Sequence, residues 1–240
     1  HAFMLLRDGQ NLFHRKAFKI AFAVGAVAML LQFVSGDLSA RYVAREEPVK
    51  FAAMEGQFKT EQGAPLRIGG FPSVKDRETK WAIEIPSLLS FITFGSKDAE
   101  VRGLEAFPED EWPPVLLTHL AYQVMIVCGV ALTGLNLWAL FLKLRRRSLY
   151  DSRLFLRAAA VATPLGFLAV ESGWIVTEVG RQPWVIAGLM RTAEAVTPVP
   201  SLLLPFILFT VLFVLLSIVT VWLLAKLTFR CPDWPLKGNV

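Results

Sequence analysis

Two stretches of 31 residues carry no Lys, Arg, Asp or Glu, one between Glu111 and Lys143 and the other between Glu194 and Lys226. A bilayer core of about 30 Å needs roughly 20 apolar residues in a helix, so each run spans with length to spare. A third uncharged run of 17 residues lies between Lys19 and Asp37. It lengthens backwards when Lys16 and Lys19 snorkel to the interface. A fourth span, from about Leu154 to Val179, is apolar except for Arg157, Glu171 and Glu178. The predicted fold is an all-α integral membrane protein of four transmembrane helices, with HAFMLL (1–6) as the tail of a fifth. Composition agrees, since 54% of the residues are apolar and 19% charged, with a mean hydropathy of +0.48. With 18 Phe and 7 Trp the chain is too apolar for disorder. Its 2 cysteines, Cys128 and Cys231, are far apart and read as free thiols. Residue 1 is His and no cleavable signal peptide is visible, so a cut or incomplete chain is expected.

The placement of Lys and Arg orients the spans. Residues 7–19 sum to +3, 143–153 to +4 and the tail from Lys226 to +2, whereas 37–114 holds 10 basic and 14 acidic residues. The three basic patches are separated by even numbers of spans and fall on one side, the cytoplasmic one. The predicted order is residues 1–36, the end of one helix, a cytoplasmic turn and the first full span; then a long extracytoplasmic loop, 37–114. The second span (115–143), a basic cytoplasmic loop (144–153) and a third span ending in GRQPW (154–184) follow. An extracytoplasmic connection (185–201), a fourth span (202–229) and a cytoplasmic tail (230–240) complete it. The net charge of +5 is therefore topological, and nucleic-acid binding is not expected. Within the loop, Pro48–Thr60 is helix-like, Gly69, Gly70 and Pro72 mark a turn, and WAIEI before Pro86 can pair as a strand or lie at the interface.

Ionisable groups inside lipid are the expensive ones. Glu171, Trp174 and Glu178 fall at i, i+3 and i+7 and share one helix face, and GRQPW (180–184) follows at the membrane boundary. Such carboxylates need a cation, a metal or a proton to carry. The plainer reading pairs Glu178 with Arg181 at the helix end and makes Trp174 and Trp184 interfacial aromatics. Met125 sits mid-span in HLAYQVMIVCG, either as packing or as a soft thioether ligand for haem iron. His119 cannot complete that ligand pair, because six residues on a helix turn about 600° and point the two side chains apart. Lys50 and Glu55 in KFAAME fit a solvated amphipathic helix, or a site that hydrogen-bonds and deprotonates a quinol head group. Spacing leaves both pairs of readings open.

Four ordered segments resemble subunit I of cytochrome bd-type quinol oxidases. AVESGWIVTEVGRQPW (169–184) resembles the family hallmark, and VKFAAMEGQFKT (49–60) resembles its quinol-loop motif, with Gly36–Asp37 at the expected distance before it. ETKWAIEIP (78–86) is similar to the later part of that loop, and LAYQVMIVCG (120–129) to the helix that supplies a haem-ligating Met. The resemblance implies a multi-chain enzyme of the prokaryotic inner (cytoplasmic) membrane. It would oxidise quinol at the outer face, reduce oxygen to water and contribute to the proton-motive force. The implied cofactors are a low-spin haem b, a high-spin haem b and a haem d or third haem b, with quinol as substrate. By position, Met125 would ligate the low-spin haem b and Glu178 the high-spin haem b. Trp174 would assist electron transfer, Arg181 would hold haem propionates, and Lys50 and Glu55 would form the quinol site.

Three departures accompany the resemblance. The chain matches the second half of such a subunit, so the expected partners are an upstream half of subunit I carrying the His ligands, subunit II and small accessory subunits. Gln123 stands where the family usually has Arg, two residues before the ligating Met, and loss of that cation predicts a lower reduction potential. The loop is the short kind, passing from GLEAF (103–107) to the next helix. These departures motivate an alternative, a degenerate or split paralogous subunit that serves as structural or electron-relay partner without oxygen chemistry. A transporter relaying protons through Glu171 and Glu178 is a third reading, which leaves KFAAME and GRQPW unexplained.

Overall fold

The computed structural model describes residues 1–196, 198 and 201–229, with side chains to Lys226. It divides into two units, 1–195 and 196–240. The second unit consists, among its described residues, chiefly of helix α8 (Leu203–Phe229). Among the described residues, four stretches are long and apolar enough to cross a membrane: Leu12–Glu46, Val115–Leu144, Arg153–Val179 and Leu203–Lys226.

In the first unit a short helix, α1 (Ala2–Arg7), precedes α2 (Leu12–Glu46), whose N-cap Asn11 accepts from the His14 amide. Helix α2 continues well past Gly36. Its polar last turns are held by local contacts such as the Asp37–Arg41 pair at 2.9 Å, an i,i+4 arrangement that favours helix. Pro48 then opens α3 (Pro48–Glu55), where a missing N–H costs nothing. α3 ends at Glu55 rather than running on to Thr60, because Gly56 turns left-handed (φ 63) and Gln57 N–H donates back to Ala52 O at 2.8 Å.

The segment that follows is where the all-α expectation gives way. It folds into three antiparallel two-stranded pairs: β1 (Glu61–Gln62) with β6 (Glu100–Val101), β2 (Leu66–Ile68) with β5 (Ile83–Ile85), and β3 (Phe71–Ser73) with β4 (Glu78–Lys80). Gly69 and Gly70, both at positive φ, make the bend between β2 and β3. WAIEI supplies β5, paired Leu66 to Ile85 and Ile68 to Ile83. α4 (Leu88–Phe94) packs over β2 and β6. These pairs are too short to read from alternation, and non-local pairing selects them. Leu104 is fully buried with Ala52, Ala53, Phe58 and Val115. Backbone bonds from Leu104 N to Gln57 O (2.9 Å) and Glu105 N to Phe58 O (3.0 Å) lock the end of the segment under α3.

Helix α5 (Val115–Leu144) is continuous, but the third span is not. Pro164 divides it into α6 (Arg153–Val161) and α7 (Leu165–Val179), since a proline can neither donate nor leave its predecessor helical. α7 packs along α5, and α6 closes with α1 and α2 around Phe18, Phe155, Leu156 and Leu142. GRQPW lies beyond the helix. It leads into a hairpin of β7 (Trp184–Ile186) and β8 (Met190–Arg191), tied to residue 110 by the Arg191–Asp110 pair at 2.7 Å. Truncating Leu104 to Ala should cost about 2–5 kcal/mol of local stability. Hydrogen exchange should then rise in residues 57–60 and 103–107 and stay unchanged in residues 130–142 of α5; unchanged protection at 57–60 would contradict this packing.

Candidate functional site

Helix α3 buries every residue from Phe51 to Glu55. An apolar stem ending in a carboxylate is an unfavourable thing to bury, yet Glu55 is 2% exposed and its Oε2 has no hydrogen-bond partner. Burial pushes the Glu55 carboxyl up to about 7, against the opposing pull of a hydrogen bond from the Tyr122 hydroxyl and of the Arg67 charge. At neutral pH the group is therefore poised between acid and base. The chain just beyond Glu55 is anchored by side-chain hydrogen bonds. Gln57, fully buried two residues on, donates from Nε2 to Lys59 O at 2.7 Å and accepts from Arg67 through Oε1. Arg67 also pairs with Glu84 at 2.9 Å.

Helix α5 forms the wall against which this end of α3 rests. His119 is fully buried, with Nδ1 2.8 Å from Met54 O and Nε2 3.2 Å from Gly69 O. One turn further, Gln123 accepts from Gly69 N–H at 3.1 Å and donates to Arg67 O at 3.2 Å. The amide of Gln123 is thus engaged with the loop backbone. Tyr122, Arg67, Gln57 and Thr79, whose Oγ1 donates to Gly56 O at 2.8 Å, are not among the residues singled out by sequence, and His119 entered there only to be set aside as a haem ligand. The available signal was the i,i+4 spacing of His119 and Gln123 on an apolar helix.

Lys50 is 12% exposed and pairs with Glu47 at 3.0 Å, on the opposite end of α3 from Glu55. Its stem reaches the start of GRQPW. A Cβ on Gly180 would stand 3.3 Å from Lys50 Cγ, 3.1 Å from Thr118 Cγ2 and 2.4 Å from Val176 O, so only glycine allows α3, α5 and the end of α7 to meet there. Lower down, a Cβ on Gly173 would come 3.2 Å from Met125 Sδ. That hollow leaves the thioether room against α7.

The remaining sequence-predicted residues lie on the other face of α7. Glu171, Trp174 and Glu178 are all exposed, Trp174 at 63%, and Phe167 and Val170 extend the same open strip. Glu178 and Arg181 form a loose pair at 3.6 Å with both side chains about half exposed, the plainer arrangement anticipated for them. No cluster of three or more His, Cys, Asp or Glu side chains suited to a metal ion occurs among the described residues.

Comparison with known proteins matches this architecture. Residues 1–232 fit the family model of cytochrome bd terminal oxidase subunit I. A Bacillus subtilis (strain 168) protein provisionally named cytochrome bd menaquinol oxidase subunit I is 38% identical over 216 residues, which cover 88% of this chain and 48% of that protein. Cytochrome bd ubiquinol oxidase subunit 1 of the same strain is 32% identical over 239 residues, covering 94% of this chain and 51% of that one. The solved bd oxidase from Geobacillus thermodenitrificans superposes with a TM-score of 0.83 at 33% identity, covering 96% of this chain and 53% of the other. The chain spans about half the length of the relatives it matches. It is a membrane protein that belongs to the family of cytochrome bd terminal oxidase subunit I.

Proposed function

We propose that this chain supplies the quinol-oxidising loop and two haem-iron ligands of a cytochrome bd-type quinol:oxygen oxidoreductase. The observation that carries this reading is Glu55, a buried carboxyl with an unpartnered oxygen beside the α5 wall. A quinol hydroxyl is the kind of donor that oxygen lacks. Oxidation of a quinol to a quinone releases two protons and two electrons, and Glu55 as carboxylate accepts the first proton. Lys50, near the other end of the same helix, hydrogen-bonds the head group. Haem groups supply the one-electron acceptors and the oxygen chemistry when bound. The rest of the reaction needs an upstream half of subunit I with its His ligands, together with subunit II. Four electrons and four protons per oxygen molecule give two waters.

The residues present fit such groups. The Gly173 hollow gives the Met125 thioether room at the α5–α7 seam, and that soft sulfur would ligate the iron of a low-spin haem b. The open strip of α7 offers a carboxylate, Glu178, one turn from an exposed indole, Trp174, and beside the Arg181 guanidinium. A flat apolar macrocycle with anionic propionates would cover that strip and pair with Arg181. On this reading Glu178 would ligate a high-spin haem b and Trp174 would pack against it, while Gln123 acts through the loop rather than by charge. Quinol protons leave on the outer side of a bacterial cell membrane.

Glu55→Gln should lower quinol-driven oxygen uptake by the assembled complex about 10²–10⁴-fold, with its haem spectrum intact. Undiminished uptake would remove Glu55 from the site. Because the base form is needed and the carboxyl titrates at about 7, kcat/KM for quinol should climb roughly tenfold per pH unit below that value and level off above it. A flat profile between pH 5.5 and 8 would contradict the assignment. Glu178→Ala should deplete the high-spin haem signal and Met125→Leu the low-spin one, read in reduced-minus-oxidised spectra. An unchanged haem complement in either variant would leave that residue as packing. Oxygen uptake driven by quinol would also reject a paralogue without oxygen chemistry.

A further inference from the structure

Helix α3 ends inside the protein, so its last carbonyls need donors other than water. Ala52 O receives Gly56 and Gln57 N–H, Ala53 O receives Gly56 N–H, and Gly56 O receives the Thr79 hydroxyl. Met54 O, the carbonyl immediately before Glu55, is served by a side chain from another helix, His119 Nδ1 at 2.8 Å. The far nitrogen of the same ring faces Gly69 O at 3.2 Å, across the β2–β3 bend. The approach is close enough to dictate sequence. Gly56 has φ 63, and a Cβ there would stand 3.2 Å from His119 Nδ1 and 2.6 Å from Thr79 Oγ1.

We infer that His119 is a positioning residue for quinol oxidation, fixing the Glu55 carboxyl by holding the Met54 carbonyl through Nδ1. The inference rests on the reading of Glu55 as proton acceptor. A neutral imidazole has one N–H and both of its neighbours here are acceptors. The shorter contact, to Met54 O, takes that proton, so Nε2 carries no hydrogen and makes no hydrogen bond to Gly69 O. Gln123 already holds the bend through Gly69 N–H and Arg67 O, so the bend has a second anchor. Among the described residues, Met54 O has His119 as its side-chain partner. Losing that bond frees the last turn of α3, and with it the one group whose placement relative to quinol decides the rate of proton transfer.

The two nitrogens can be tested separately. His119→Asn places an amide nitrogen near the position of Nδ1, and His119→Gln places one near Nε2. In the assembled membrane complex, at equal haem content, oxygen uptake is followed with a short-tail ubiquinol as substrate, beside Glu55→Gln as reference. His119→Asn should keep kcat within about threefold, and His119→Gln should lower it about 10–100-fold with KM unchanged. Equal rates in the two variants, or a fall of haem content or thermal stability in either, would overturn the inference and leave His119 a structural residue. Full activity of Glu55→Gln would instead overturn the reading of the quinol site. Loss with Glu55→Gln but not with His119→Gln would overturn the positioning role alone.

Discussion

A helix that stops in a dry place must find partners for its last carbonyls, and at the end of α3 those partners come from elsewhere in the chain. His119 and Thr79 close the carbonyls of Met54 and Gly56, while Gln123 ties the neighbouring bend by both ends of its amide. Much of the candidate site depends on this satisfaction. It allows Phe51 to Glu55 to be buried without exposing backbone, and it lets one carboxyl oxygen stay unpartnered at modest risk to the fold. A buried donor or acceptor left open costs about 1–3 kcal/mol. At the end of α3 that cost is confined to Glu55 Oε2, because the surrounding groups are paired.

The same constraint explains the distribution of glycine. Gly56 is demanded by its positive φ and by the His119 ring, Gly173 by the Met125 sulfur, and Gly180 by the meeting of three elements. Each marks a place where two segments approach more closely than a side chain permits. On the sequence, all three sit in the motifs AVESGWIVTEVGRQPW and KFAAMEG, where their role is packing as much as chemistry.

Much of the architecture was legible in the residues. The uncharged runs located four long helices because lipid admits few charges, and Pro48 and Gly56 bracket α3 by ordinary capping rules. The division at Pro164 was also written in the sequence, but apolarity across 154–179 hides it, since hydropathy counts residues and not hydrogen bonds. The short strand pairs were not legible. Leu66–Ile68 and Ile83–Ile85 are three residues long, and their partner choice is set by the bend that α5 holds rather than by alternation. Gln123 shows the same limit from the other side. A motif position suggested a missing charge, while the geometry gives its amide to the loop backbone.

Helix α7 joins these features by having two unlike faces. Ser172, Gly173 and Val176 turn inward, with Met125 and Ala121 of α5 against them, and Glu171, Trp174 and Glu178 turn outward into the open. Residues 173 and 174 differ by about 100° around the axis, so the hollow for the thioether and the exposed indole are neighbours in sequence on different sides of one helix. On the proposed reading, Met125 and Glu178 would therefore serve different sides of α7. The inward face must be small to let α5 and α7 approach. The outward face carries an exposed indole, Trp174, between two carboxylates, Glu171 and Glu178. One helix of 15 residues carries both faces, which is why its sequence reads as a motif rather than as a plain apolar run.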